Sequence, residues 1–600
     1  MNNFTGAFGK GSLIPEVIIR SEGLTMAEQN GYKIYLSGDI YNVACDPSES
    51  AALILKNYID NGINSFKKYD GEFTLIISSG DEVLIYRDRH GAGSQVYYNS
   101  EYFCSSLKNF STINGFKPIP NKEALYTFLS IGYVPSPMSS FLGVSKIPGG
   151  SVLSVKNGEQ KLISLFGWEE YLSSCSNPVN ISEDDATAEY QRLHKLSIAN
   201  RVKGKTKIGL LLSGGYDSGG NIACLRDVYS GETLSYSIGF KDNPWTELPL
   251  AKILSETFDT SHHEYEIDGS EIDNLPEIVE YLGDPFQEGG LMVNYTAMKL
   301  IGTDKPQIIL GGDGNDQHFG TAGKELALNY TFNQKGYTPF QKLYSKLGTL
   351  SIFDKDNILF RTQFHNDKIL NIQKSDNFGF KYHQLKQLLL SDPPKKHNYL
   401  ENTPKTFKSF NDFYLTHNYF GDINQVINEV ILFKASKMSS MFGNSLSFPY
   451  MSTEIYDFLK TLPRELKCKG STADLAKGRG VSKFLHKNYL KPKLPVEITE
   501  RKKQGGFAPL PIFFKDAKQR DRLSKYILSS DAAKELFSSK FLNQFFKEYQ
   551  LSESKESYWF WYKQVKAFQF FNLVVVCLWW DIFINDKKSE ELKQLIGTDL

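Results

Sequence analysis

Two domains of different construction are predicted: an N-terminal domain on a largely antiparallel β-sheet, and a C-terminal domain on a parallel, doubly wound α/β sheet with a mostly helical extension. Three observations predict this. The chain has 600 residues, 41% of them hydrophobic and 14% aromatic, which is enough to bury large cores and makes two or more domains the first expectation. Early segments alternate short β-rich runs with turns, and later ones alternate continuous apolar runs with helical patterns.

The N-terminal elements come first. KIYLSGDIYN from Lys33, GEFTLIISSGDEVLIYRDRHG from Gly71 and SQVYYNSEYFCSS from Ser94 set Tyr, Ile, Val and Phe at strand spacing between turn residues, with 51–69 supplying a packing helix. SSCSNPVNISED, Ser173 to Asp184, is polar, contains Pro and reads as a linker between domains 1–172 and 185–600. KIGLLLS from Lys207 then leads into Gly-Gly and a helix. LSYSIGF from Leu234 precedes a helix near Leu248 to Phe258, and QIIL from Gln307 runs into GGDGND. Such strands place a ligand at their C-terminal ends. Residues 322–600 read as mostly helical, and no repeat occurs at solenoid spacing.

Lys plus Arg number 68, as do Asp plus Glu, so no global basic field favours a nucleic-acid partner. Cys45, Cys104, Cys175, Cys224, Cys468 and Cys577 lie far apart with no C-x-x-C pair, which argues for a reducing compartment and against a cysteine-rich zinc site. The opening MNNFTGAFGK lacks a signal-peptide layout. The strongest apolar run, Phe570 to Ile584, is interrupted by Asn572 and Asp581 and is expected to be too short for a membrane span. A soluble cytoplasmic protein with no membrane partner is expected.

The most informative segment is LLLSGGYDSGG, Leu210 to Gly220. A buried strand delivers Ser213, Gly214 and Gly215 into a tight turn opening a helix, whose unpaired N–H groups face an anion. Asp217 would repel a bare phosphate, so its place there makes sense if it holds a divalent cation bridging pyrophosphate oxygens. An ordinary strand-turn-helix junction would explain S-G-G alone. The whole S-G-G-x-D-S string resembles the loop of ATP pyrophosphatases, which release AMP and pyrophosphate.

Outward from that loop the chain resembles the asparagine synthetase family over nearly its whole length. SYSIGF (Ser235 to Phe240), GDPFQEGGLMVNYTAM with Asp284 where Glu is usual, LGGDGNDQHFG (Leu310 to Gly320), KASKMSSM with Lys437 where Arg is usual, SKFLHKNY and RKKQGGFAPL follow in the family's order. Only 322–425 matches nothing specific. The resemblance implies ATP contacts from Leu211, Leu212, Ser213, Gly214, Gly215, Asp217, Ser218, Ile238 and Gly312. It also implies Mg²⁺ on Asp217 and Asp316, and catalytic roles for Lys503, Lys483 and Asp313. Lys502 competes with Lys503, because Gly506 is an extra residue in that motif.

The first domain resembles the family's N-terminal-nucleophile glutaminase sandwich, with KIYLSGDIYN in the place of F-N-G-E-I-Y-N. That chemistry needs an N-terminal Cys whose own α-amine takes the thiol proton. Position 2 is Asn2, the R-G-P-D substrate loop is absent between Lys10 and Tyr32, and N-G-E has become Ser37-Gly38-Asp39. Glutamine is therefore not expected to be the nitrogen donor. The expected activity is adenylation of a carboxylate followed by amide formation with another amine, as in a cyclase of the lasso-peptide macrolactam type, with a precursor peptide and its processing protease as partners. β-Lactam synthetases, which also use an internal amine, share that character. An asparagine synthetase using free ammonia and a non-catalytic nucleotide-binding regulator are the alternatives.

Overall fold

The computed structural model describes residues 3–8, 23–44, 46–80, 82–176, 178–243, 246–320, 323–370, 378–394, 407–500 and 508–596. Its N-terminal domain is a sandwich of two antiparallel sheets. Six strands run in the order Glu159–Ser164, Ser151–Lys156, Glu82–Arg87, Gly71–Ser79, Tyr32–Ile40, Thr25–Gln29, and four short ones in the order Thr5–Ala7, Tyr102–Cys104, Tyr97–Tyr98, Ser145–Lys146. Alternation along the strands sends Ile76, Val83 and Ile85 toward Phe4, Phe103 and Ile147 of the small sheet. Leu75, Ile77, Leu84 and Tyr86 face the other way, onto Ile54 and Leu55 of the helix Pro47–Asn61. Covered on both faces, Gly71–Ser79 is buried along most of its length.

Five parallel strands form the second domain's sheet, in the order Ser261–Ile267, Glu232–Phe240, Lys207–Leu211, Ile308–Leu310, Leu446–Ser447. The strand order turns back at Lys207–Leu211, so a crevice opens between its C-terminal end and that of Ile308–Leu310. Helix Trp168–Ser176 covers the first part of the stretch expected as a linker, and the next helix begins at Glu183, where Ser182 Oγ accepts from Asp185 N at 3.1 Å. The segment that matched nothing in sequence carries the helices Gly323–Gln334, Thr338–Leu347, Ile358–Leu370, Tyr382–Leu388 and Phe410–His417.

The apolar run near the C-terminus requires a correction. It belongs to a helix of 24 residues, Phe560–Phe583, which is long and apolar enough to cross a membrane. The added length comes from the amphipathic FWYKQVKAFQ, which continues the same helix and hides it from a search for unbroken apolar sequence. Its most apolar stretch is entirely buried, packed among Phe141, Phe514 and Tyr549 as a core helix.

A buried polar cluster joins the domains. Arg201 reaches Asp70 at 2.8 and 3.2 Å and Ser447 Oγ at 2.8 Å, and Glu72 Oε1 accepts from Ser447 Oγ and Phe448 N, both at 3.0 Å. Strand Gly71–Ser79 of the sandwich is thus tied to the edge strand Leu446–Ser447 of the parallel sheet. Among the described residues Cys104, Cys175, Cys224, Cys468 and Cys577 are free thiols, and Cys45 lies outside them.

Candidate active site

The crevice is built from two loops. The first follows Lys207–Leu211, whose Ile208 and Leu210 are buried in the core below the sheet. Gly214 takes φ +62°, and a Cβ there would stand 2.5 Å from that of Leu250, so the turn requires glycine. Gly215 then opens the helix Tyr216–Val228 with no side-chain cap, leaving its first N–H groups to a ligand. Ser218 Oγ accepts from Ser213 N at 3.1 Å and holds the loop closed, while Ser213 itself is exposed. Leu212 N bonds Tyr236 O at 2.9 Å, which sets Leu211 and Leu212 beside the neighbouring strand that carries the partly exposed Ile238.

The second loop follows Ile308–Leu310. Gly312 lies against the first helix, its Cβ position 3.4 Å from Ser218 N. Gly314 has φ +97°, and a Cβ there would collide with Met451, so a second turn depends on glycine. Asn221 Nδ2 donates to Gly311 O at 2.9 Å and locks the two loops together.

Asp217 and Asp316, one from each loop, meet on a single cation. Lys483 Nζ lies 2.6 Å from Asp217 Oδ2 and 2.7 Å from Asp316 Oδ1. Asn315 Nδ2 donates to Asp217 Oδ1 at 2.7 Å, and His486 Nε2 lies 3.3 Å from the same oxygen and 3.2 Å from Tyr216 O. Both neighbours of Nε2 are acceptors, so the network assigns its proton there. Burial alone would raise Asp217, but the Lys483 ammonium and His486 hold it well below the usual carboxylate range. Burial would likewise lower Lys483, and the two carboxylates overcome it and raise its value. Lys483 takes the left-handed conformation, φ +51°, at the start of Phe484–Leu490, a strained backbone for a non-glycine residue that its two ion pairs help to hold.

These carboxylates fit a hard divalent cation. They converge from two loops on one cation position and remain 24% and 32% exposed.

Asp313 lies deeper. Burial raises its value; Lys434 opposes this, and Glu288, Asp217 and Asp316 add to it. Among the described residues its side chain makes no hydrogen bond to its own turn. Lys434 pairs with Glu288 at 2.5 Å, and Glu288 Oε2 also accepts from Gly290 N at 2.8 Å. Asp313 thus stands electrostatically between the Lys483 cluster and the Glu288–Lys434 pair.

Lys502 and Lys503 lie outside the described residues, but their flanks do not. Thr499 O accepts from Tyr216 Oη at 3.2 Å beside the first loop, and Ala508 Cβ lies 3.9 Å from the Cβ position of Gly289. Asn315, His486, Glu288 and Lys434 were not singled out in sequence. Each stands inside a family-like segment, where an unexplained polar residue was the available signal.

Residues 189–577 match the family profile described as asparagine synthase, and 25–166 that of a glutamine amidotransferase domain. The chain is 25% identical over 325 residues to a putative glutamine-hydrolysing asparagine synthetase of Methanocaldococcus jannaschii, covering 51% of this chain and 61% of that protein. It is 24% identical to asparagine synthetase 1 of Bacillus subtilis, covering 81% of this chain and 77% of that protein. It is also 26% identical to the carboxyethyl-arginine β-lactam synthase of Streptomyces clavuligerus, covering 41% of this chain and 49% of that one.

Proposed function

The chain belongs to the asparagine synthase family, and from that premise we propose that it is an ATP-dependent, AMP-forming carbon–nitrogen ligase whose amine does not come from glutamine. The observation that carries this reading is the Asp217–Lys483–Asp316 cluster at the mouth of a phosphate loop.

The substrate carboxylate attacks the α-phosphorus of ATP, forming the acyl–AMP anhydride and releasing pyrophosphate. The helix N-terminus at Gly215 and the Lys483 ammonium face the phosphate charge. Mg²⁺, held by Asp217 and Asp316, would neutralise the triphosphate and hold pyrophosphate as a leaving group. The amine then attacks the acyl carbon, AMP departs with the carboxylate's oxygen, and Asp313 takes the proton the nitrogen loses. Lys503 brings a cation to the reacting phosphate, and enclosure of the adenylate keeps it from water.

Against a glutamine donor, no cysteine adjoins the strand Thr5–Ala7, which Asn3 and Phe4 lead into. Ser37 is buried against Ser94, with its Oγ 3.2 Å away. Asp39 Oδ2 accepts from Ser445 Oγ of the other domain at 3.1 Å, so the carboxylate in the place of the family's glutamine-holding acid serves the domain contact. Likeness to a β-lactam synthase favours an internal amine, and our specific reading is a peptide cyclase of the macrolactam type acting on a processed precursor in the cytoplasm. The competing reading, asparagine synthesis from free ammonia, is favoured by the names of the two synthetase relatives.

The test incubates the enzyme with ATP, Mg²⁺ and a linear peptide bearing a free amine and a carboxylate. Cyclisation predicts a product lighter by one water with one AMP formed, and no glutamate from added glutamine. Asparagine from aspartate and ammonium, with the peptide untouched, would establish the competing reading.

A further inference from the structure

A cavity of about 340 Å³ lies between the two domains, away from the phosphate loop. It falls within the roughly 300 to 1,000 Å³ of small-molecule sites. The sandwich supplies Arg87 and the loop Gly91–Gln95, and the second domain supplies Tyr281 and the helix Leu432–Met441.

Its charges are unevenly paired. The wall's two carboxylates are already neutralised: Glu280 by Lys108 at 2.8 Å and Glu277 by Lys593 at 2.6 Å. Its other two cations have no carboxylate at ion-pair distance among the described residues. Among the described residues the Arg87 guanidinium, 4% exposed, donates only to backbone carbonyls, to Ser94 O at 3.1 Å, Ile147 O at 2.8 Å, Gly91 O at 2.6 Å and Gly93 O at 3.5 Å. Among the described residues the Lys437 ammonium has only the Tyr281 ring beneath it, its Nζ 5.8 Å from the ring centroid. Burial lowers Lys437 to about 8, with Arg87 and Lys146 adding to the effect and Asp284 opposing it. An ammonium kept in so positive a pocket gains from any anion that enters.

The rest of the wall narrows the chemistry. Phe433, Met441 and Tyr281 give an apolar side. Arg87 spends its donors on carbonyls, and the hydroxyls of Ser94, Ser105, Ser106 and Ser440 are already bonded, so among the described residues the Lys437 ammonium and Ser436 Oγ are left for a ligand, which suits a single carboxylate better than a phosphate with its several acceptor oxygens. We propose that this interdomain cavity is a binding site for a small monocarboxylate, its anionic head on Lys437 and its apolar body against Phe433 and Met441. The site lies apart from the phosphate loop.

The full-length protein, saturated with ATP and Mg²⁺ so that anions do not enter the nucleotide crevice, is titrated at constant ionic strength with butyrate, its neutral isostere butyramide and inorganic phosphate. Binding is followed by calorimetry and thermal midpoint. Butyrate is expected to bind saturably, butyramide at least tenfold more weakly. Lys437→Met should weaken butyrate at least tenfold, and Lys437→Arg should restore it. The proposal is overturned if butyrate and butyramide bind alike, if neither binds, if Lys437→Met leaves butyrate affinity unchanged, or if phosphate alone binds. The Lys437→Met comparison reports on this cavity alone, whether or not ATP fills the crevice, and failure here would leave pyrophosphate release intact.

Discussion

Replacing Lys483 by Met removes an ammonium that both Asp217 and Asp316 touch. Their oxygens lie 2.6 and 2.7 Å from the same nitrogen, so they stand no more than about 5 Å apart, where two unit charges at an effective dielectric near 20 repel by roughly 3 kcal/mol. Both carboxylates are partly solvated, so solvent and local adjustment reduce this, and a loss of about 2 kcal/mol in metal-free stability is expected. Urea unfolding at pH 7 measures it. Mg²⁺ should restore the variant more than it stabilises wild type, because a divalent cation can replace the missing charge. Carboxylate-dependent exchange of labelled pyrophosphate into ATP should fall by about two orders of magnitude, the worth of a cation on developing phosphate charge. Unchanged stability, an unchanged Mg²⁺ response and wild-type exchange would together refute the idea that this ammonium holds the two carboxylates for the triphosphate.

Three further outcomes are expected. Asp313→Asn should keep carboxylate-dependent pyrophosphate exchange but form little amide, and it should flatten a wild-type rate that rises with pH above the ordinary carboxylate range, since burial raises the Asp313 value; equal loss of exchange and amide would place Asp313 in adenylation. Lys503→Ala should cut product formation by roughly 3 kcal/mol of barrier, about a hundredfold, with Lys502→Ala nearly neutral; the reverse pattern would move the role to Lys502. Burial lifts Glu72 to about 7 despite Arg201 at 3.8 Å, so the folded protein holds that proton more tightly than the unfolded chain; stability should fall by on the order of 3 kcal/mol as pH rises from 4.5 to about 7 and level off above it, and Glu72→Gln should abolish that slope in urea titrations.

The parallel sheet was legible because Lys207–Leu211 and Ile308–Leu310 are unbroken apolar runs ending in glycine loops, and both loops signalled an anion site. Its fifth strand, Leu446–Ser447, was not, since two residues carry no periodicity. The resemblance put Lys483 near the phosphates, but its direct contact with both aspartates was not legible, because 266 residues separate it from Asp217 and the ion pairs form only in the fold. Asn315 and His486 were passed over for a similar reason, as their partners lie on other elements. Segment 322–425 gave helical periodicity but no motif, and its helices mostly pack away from the crevice-forming strands.

Adenylation is tested most directly by the fate of an oxygen atom. If the carboxylate of the linear peptide is labelled with heavy oxygen, attack at the α-phosphorus followed by amide formation must leave one labelled oxygen in AMP and none in pyrophosphate. Label in inorganic phosphate with ADP as co-product, or unlabelled AMP beside a completed amide, would contradict the account.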